Sequence, residues 1–68
     1  MNRIDTCGMS CPQPVLMTKK AIEKNPEGIE ILVDNNTAKN NVTRFLTSHN
    51  YKVTVKNQGD LILLTGRK

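Results

Sequence analysis

The segment Cys11-Pro12-Gln13-Pro14 constrains the local fold of this chain more than any other, because it indicates where a helix begins. Proline suits the first helical turn, where its missing N–H would have no intrahelical partner. The residue before a proline disfavours the helical conformation, so Cys11 is predicted at the N-cap of a helix that begins at Pro12. The unpaired N–H groups and the positive end of the helix dipole would favour the thiolate of Cys11, which is the reactive form of cysteine.

Hydrophobic periodicity divides the chain into strands and helices in the order βαβαββ. Pro26 and Gly28 end the first helix. Asn35 and Asn36 can cap the second helix, and Asn50 suits its left-handed C-cap. The predicted strands are 2–5, 29–34, 51–56 and 60–65, the last two joined by a turn over 57–59, and the predicted helices are 12–25 and about 36–49.

This order predicts an α/β fold, a two-layer sandwich in which a mixed four-stranded sheet carries two helices on one face. The chain length of 68 residues allows a single domain over 1–68. The other face of the sheet would be open, and apolar residues on it would mark a contact surface. Those residues are Leu32 together with either Leu61 and Leu63 or Ile62 and Leu64.

The composition is that of an ordinary soluble globular chain, with 37% hydrophobic and 24% charged residues. The segment 1–5 lacks the apolar core of a signal peptide, which predicts the cytoplasm, and no apolar run approaches the length of a membrane span. Two cysteines in a small cytoplasmic protein argue against a disulfide scaffold.

The net charge of +4 favours an anionic partner, either RNA or an acidic protein surface. Phe45 and Tyr51 are the only aromatic residues and both are predicted on core faces, so no stacking platform for RNA bases is expected. We therefore expect no direct nucleic-acid binding and favour a protein partner. Leu16, Lys19 and Lys20 lie outside the apolar stripe of the first helix, within two turns of Cys11. That face is either simply solvated or a docking patch for an acidic protein, with Leu16 as its apolar anchor.

Cys11 is either a small buried hydrophobe or a reactive thiol. A helix N-terminus that stabilises a thiolate would equally stabilise a terminal persulfide, R–S–S⁻, which is an anion at neutral pH. A sulfur carrier needs no general base of its own, and no Ser–His or paired-carboxylate arrangement is evident. Asp5 and Asp34 are predicted at strand ends near the Cys11 loop, where capping and turn roles explain them as well as catalysis would. We predict no cofactor and no metal site, since at most three soft or borderline ligands are present.

The run from Asp5 to Val15, Asp-Thr-Cys-Gly-Met-Ser-Cys-Pro-Gln-Pro-Val, followed by Thr18-Lys19-Lys20, resembles the signature of the TusA/SirA/YedF sulfur-carrier family. The resemblance covers essentially the whole chain. It implies the βαβαββ sandwich and a persulfide carried on Cys11. It also implies a cysteine desulfurase or another persulfide donor, and an acceptor protein that serves tRNA thiolation, molybdenum cofactor synthesis or sulfur oxidation. In this interpretation Gly8 and Pro12 shape the loop and helix entry, and Pro14 packs the first turn against the sheet.

Within that family, the run Cys-Pro-Gln-Pro-Val and the later Val33-Asp34-Asn35-Asn36 are most similar to the YedF branch. The branch often joins this domain to a second, DsrE-like domain and is associated with selenium metabolism. The resemblance therefore leaves open whether the chain is the N-terminal domain of a longer protein. It also implies an alternative function, that of a selenium-metabolism accessory domain.

Cys7 departs from the family pattern, which usually has Arg at this position. One hypothesis makes Cys7 a resolving thiol that attacks a Cys11 persulfide, releases sulfide and forms a disulfide. We favour the alternative, a half-buried small residue in place of an Arg stem, because a resolving thiol would discharge the cargo. A dithiol redox protein based on Cys7 and Cys11 is a further alternative, although the two cysteines have three intervening residues rather than the two of thioredoxin-type motifs.

Overall fold

Six elements follow one another in the predicted order βαβαββ. The computed structural model describes residues 2–10 and 13–68. Its elements are β1 (Asn2–Asp5), α1 (Gln13–Lys24), β2 (Gly28–Val33), α2 (Asn36–Ser48), β3 (Lys52–Gln58) and β4 (Leu61–Arg67).

The four strands form one mixed sheet with the spatial order β1-β2-β4-β3. β1 runs parallel to β2, whereas β4 is antiparallel to both β2 and β3. Ile4 lies opposite Ile31, and Ile31 lies opposite Leu64, so one apolar row crosses β1, β2 and β4. The α/β sandwich with a mixed four-stranded sheet is confirmed.

Both helices cover the same face of this sheet. Ile29, Ile31 and Val33 of β2 are fully buried beneath them, as the alternation predicted. α1 contributes Ala21 to the same core, and α2 contributes Ala38, Val42 and Leu46. Neither helix among the described residues has the length and hydropathy of a membrane-spanning segment.

The ends of α2 follow from two asparagines. The Asn35 side chain accepts a hydrogen bond from the Ala38 N–H at 2.8 Å, which makes Asn35 the N-cap. Asn50 has a φ of +68°, the left-handed conformation predicted for the residue after the helix. The predicted N-cap of α1, Cys11, and the predicted first helical residue, Pro12, lie outside the described residues.

The predicted turn between the last two strands was wrong by two residues. Asn57 and Gln58 belong to β3, and the chain reverses at Gly59 and Asp60. Gly59 has a φ of +65°, which suits glycine at the first position of a two-residue hairpin loop. The predicted strand start at Tyr51 also shifts by one residue, because the buried Tyr51 side chain precedes β3 and donates its O–H to the Pro26 carbonyl at 2.8 Å.

The open face of the sheet carries Leu61 and Leu63 rather than Ile62 and Leu64. Leu63 pairs with Leu32, and directly paired residues point to the same face. Leu63 is nevertheless buried, and Leu32 and Leu61 are half-buried. Asp5 and Lys56 flank this row in the register, so the outward leucines form a small, charge-bordered patch.

Candidate functional site

The loop over 6–10 connects β1 to the Cys11 motif and is fixed at its start by Thr6. The Thr6 N–H and Oγ1 both donate to the Leu32 carbonyl, at 2.9 Å and 2.8 Å. Thr6 is almost completely buried, and its two hydrogen bonds continue the pairing of β1 with β2 beyond the end of the strand. The loop therefore leaves the sheet from a defined point.

Two carboxylates hold the next two residues of the loop. Asp5 Oδ1 accepts the Cys7 N–H at 2.9 Å, and Asp34 Oδ2 accepts the Gly8 N–H at 2.8 Å. The other carboxylate oxygen of Asp34 accepts a hydrogen bond from the side chain of Asn35, the N-cap of α2, at 2.9 Å. Asp34 thus joins the loop to the beginning of α2, and the predicted placement of Asp5 and Asp34 at strand ends near this loop is confirmed.

These hydrogen bonds favour the charged form of both carboxylates. The Cys7 N–H, followed by the Cys7 side chain, lowers the pKa of Asp5 below its usual value. The Gly8 N–H, followed by the Asn35 side chain, lowers the pKa of Asp34 in the same way. Both groups are therefore anionic at neutral pH, so the loop lies between two negative charges.

Gly8 provides the backbone conformation that this loop requires. Its φ of +78° lies in the left-handed region, where any side chain would be strained even though the space that a Cβ would occupy is open. The Met9 N–H donates to the Thr6 carbonyl at 3.2 Å and closes the turn around Gly8. This geometry supports the predicted loop-shaping role of Gly8.

Cys7 is a free, half-buried thiol with an unfavourable environment for ionisation. Burial, together with the hydrogen bond and charge of Asp5 and the charge of Asp34, raises the pKa of Cys7 from 9.0 to about 11. About one Cys7 side chain in ten thousand is then ionised at pH 7. Because the thiolate is the nucleophile, Cys7 is a poor attacking group under these conditions.

Cys11 and Pro12 lie outside the described residues, and their predicted roles stay predictions. The residues on either side are described: Ser10 and Gln13 are exposed, and the Gln13 N–H donates to the Ser10 carbonyl at 2.8 Å. Pro14, the next predicted residue, is fully buried, and its carbonyl accepts the Thr18 O–H at 2.8 Å. The first described turn of α1 is therefore anchored in the core through Pro14, while Ser10 and Gln13 lie at the surface.

The predicted docking patch (Leu16, Lys19 and Lys20) lies together on the outer face of α1. Leu16 is 46% exposed, and both lysines are exposed. The three side chains line a depression of about 260 Å³ with Gln13, Met17 and Glu23. Met17 is half-buried and borders this depression.

A second depression, of about 430 Å³, lies between α1 and β1 and includes Arg3 and Lys24. These two residues were not predicted as site residues, because they are far apart in the chain and meet only through the packing of α1 beside β1. Among the described residues, no three potential metal ligands of the His, Cys, Asp or Glu type come together.

Comparisons with known proteins connect this geometry to sulfur transfer. The family model described as sulfurtransferase TusA matches residues 2–68. A protein of Methanocaldococcus jannaschii named as a candidate sulfur carrier is 40% identical over 57 residues, which cover 81% of this chain and 76% of that protein. The crystal structure of a SirA-like protein from Desulfitobacterium hafniense has a TM-score of 0.89 and 28% identity, with 98% of this chain and 96% of that chain covered.

Proposed function

Because this chain belongs to the TusA family of sulfurtransferases, we propose that it accepts sulfur as a persulfide on Cys11 and passes it to an acceptor protein. The observation that carries the proposal is the Cys-Pro-x-Pro motif at the start of α1, in a chain that the family model matches throughout residues 2–68. The exposure of Ser10 and Gln13, which flank the motif's first two residues, supports a thiol that a partner can reach.

The proposed transfer needs no oxidant or reductant. The Cys11 thiolate attacks the terminal sulfur of a donor persulfide, R–S–SH, so that one S–S bond forms, the donor S–S bond breaks, and R–S⁻ leaves. An acceptor thiolate then attacks the terminal sulfur of the Cys11 persulfide and releases the Cys11 thiolate. The protein contributes stabilisation of the anionic sulfur by the helix N-terminus and its presentation to partners.

Cys7 takes no chemical part in this proposal. A resolving thiol must be ionised to attack the Cys11 persulfide, and the raised pKa of Cys7 opposes ionisation at neutral pH. The same property weighs against a Cys7/Cys11 dithiol redox protein. The descriptions of the matched family and of the archaeal relative name sulfur and not selenium, so they do not favour the selenium alternative.

Donor and acceptor proteins would dock beside Cys11. The exposed Leu16 offers an apolar anchor, and Lys19 and Lys20 offer positive charge to an acidic partner surface. The predicted cytoplasmic location fits this role, because the cytoplasm keeps thiols reduced and available for transfer.

The direct test is to incubate the reduced protein with a cysteine desulfurase and cysteine, and to record intact masses. We expect the unchanged protein to gain the mass of one sulfur atom and to lose it on treatment with a reductant. The Cys7→Ser variant should show the same gain, and the Cys11→Ser variant should show none. Retention of the added sulfur by Cys11→Ser would contradict the assignment. A loss of two hydrogens on mild oxidation, with no sulfur added, would instead support the dithiol alternative.

A further inference from the structure

The depression between α1 and β1 combines an apolar floor with a basic rim. We call it the α1–β1 groove; its volume is about 430 Å³. Ile4 and Met17 are half-buried and Ala21 is buried, which provides an apolar surface at its base. The full lining consists of Asn2, Arg3, Ile4, Met17, Lys20, Ala21, Lys24 and Asn25.

The charge of the groove is not balanced by residues of its own. Three lining residues, Arg3, Lys20 and Lys24, are basic, and none is acidic. Within residues 2–10 and 13–68, the one ion pair joins Arg3 Nε to Glu30 Oε1 at 3.3 Å, so Lys20 and Lys24 have no carboxylate partner there. Lys20 and Lys24 are four residues apart on α1, a spacing at which like charges repel each other. Of the two, only Lys24 lies in the last turn of α1, where the negative end of the helix dipole stabilises a positive charge.

The groove is continuous with the docking patch. Met17 and Lys20 line both the α1–β1 groove and the 260 Å³ depression of the docking patch. The depression of the docking patch extends to Gln13, two residues after Cys11 in the sequence. From Gln13 to Lys24, α1 spans about 16 Å at ~1.5 Å per residue. An extended segment of about five residues would cover that length.

We propose that the α1–β1 groove binds an acidic segment of the protein that donates sulfur to Cys11, a segment with an apolar side chain that packs on Ile4 and Met17. The inference rests on the proposed function and deepens it, because it extends donor binding beyond the docking patch to Arg3 and Lys24. Carboxylates of the donor would supply the counter-charges that the groove lacks. Apolar contact at the base would then fix the position of the segment.

The test compares the variant Lys24→Gln with the control Lys56→Gln on β3, which loses the same net charge and, like Lys24→Gln, breaks no ion pair of the described residues. Both variants are loaded by a cysteine desulfurase and, separately, by sodium tetrasulfide, a small donor that needs no docking. With the desulfurase at subsaturating carrier concentration, we expect the groove variant to load about threefold more slowly and the control to remain near the unchanged protein. Raising the salt concentration should narrow that difference.

Equal slowing of both variants would overturn the inference, because the effect would then reflect net charge rather than the groove. Normal desulfurase loading of the groove variant would also overturn it, while leaving Cys11 as the sulfur carrier. Normal loading by tetrasulfide shows that the groove variant is folded and that its Cys11 is reactive. If neither donor loads Cys11 in the unchanged protein, the proposed function fails, and the inference fails with it.

Discussion

The two outer strands of the sheet, β1 and β3, are both largely exposed and both carry basic side chains, yet they have different surroundings. β1 has four residues, lies beside α1, and leads into a loop that Thr6, Asp5 and Asp34 hold by hydrogen bonds. β3 has seven residues, most of them exposed, and ends in a two-residue hairpin turn.

The difference shows that positive charge alone does not identify a binding surface. Lys52 and Lys56 lie on an exposed edge strand, where lysine commonly prevents pairing with a strand of another molecule. Lys20 and Lys24 border a groove with an apolar base between α1 and β1. Within the described part of the chain, positive charge and apolar surface therefore come together in a groove at the β1 edge.

The largest expected contrast concerns the reactivity of thiols at the two edges. In Cys11→Ser, the rate of Cys7 alkylation should rise with pH with a midpoint near 11, because burial and the two carboxylates oppose ionisation. A thiol introduced by Gln58→Cys at the exposed end of β3, in Cys7→Ser/Cys11→Ser, should show a midpoint about two pH units lower. Rates of iodoacetamide alkylation measured from pH 7 to 11 give the midpoint of the introduced thiol, and the rate for Cys7 should still be rising at the upper end of that range.

A midpoint for Cys7 near its usual value of 9.0 would show that the loop does not suppress its ionisation. The resolving-thiol hypothesis would then regain support. The variant Asp5→Asn removes the carboxylate that accepts the Cys7 N–H and opposes ionisation of the Cys7 thiol, so it should move the midpoint downward.

The next contrast concerns packing. Ile4 of β1 packs against the core and lies opposite Ile31, whereas Val55 of β3 is 45% exposed. We expect Ile4→Ala to lower the free energy of unfolding by about 2 kcal/mol, the low end for a truncated core side chain because Ile4 is only half-buried. Val55→Ala should change it by less than about 1 kcal/mol. Urea unfolding measures both, and equal losses would contradict the contrast.

A smaller effect is expected for the hydrogen bonds that extend β1. Thr6→Val keeps the shape of the side chain but removes the hydroxyl that donates to the Leu32 carbonyl, so stability should fall by about 1 kcal/mol. Thr54 is exposed on β3, and Thr54→Val should be neutral within about 0.5 kcal/mol. A loss of stability in Thr54→Val as large as that in Thr6→Val would show that the threonine hydroxyl groups stabilise the two edge strands equally.

The sequence predicted the elements well because their signals are local. The alternation of Ile29, Ile31 and Val33 and the capping residue Asn35 each act within a few residues. The hairpin turn was misplaced because Asn57 and Gln58 have turn-forming or polar side chains, while the pairing of β3 with β4 extends through both of them. Tertiary hydrogen bonding outweighed local preference there.

The site was less accessible to sequence reasoning because its contacts join distant segments. Asp5 and Asp34 could be placed near the Cys11 loop, since both lie at the carboxyl ends of neighbouring parallel strands. Their combined effect on Cys7 could not be predicted, because it depends on which carboxylate oxygens face the loop. The α1–β1 groove also depends on the sheet order, which places β1 at an edge and leaves its basic side chain beside α1.

The smallest expected effect is the pH dependence that Asp34 confers on the loop. Its pKa is lowered in the folded protein, so its stabilising contribution is complete above its usual value of 3.8 and is lost as the pH falls through the lowered value. Asp34→Asn should therefore lower the thermal midpoint slightly at pH 7 and flatten its decline below about pH 4. Asp60→Asn, a matched change in the exposed hairpin turn of the β3 edge, is the control for the loss of one carboxylate. A decline of Asp34→Asn in parallel with the unchanged protein would mean that the bond from the Gly8 N–H contributes nothing to folding, and that Thr6, Asp5 and the core hold the β1 edge.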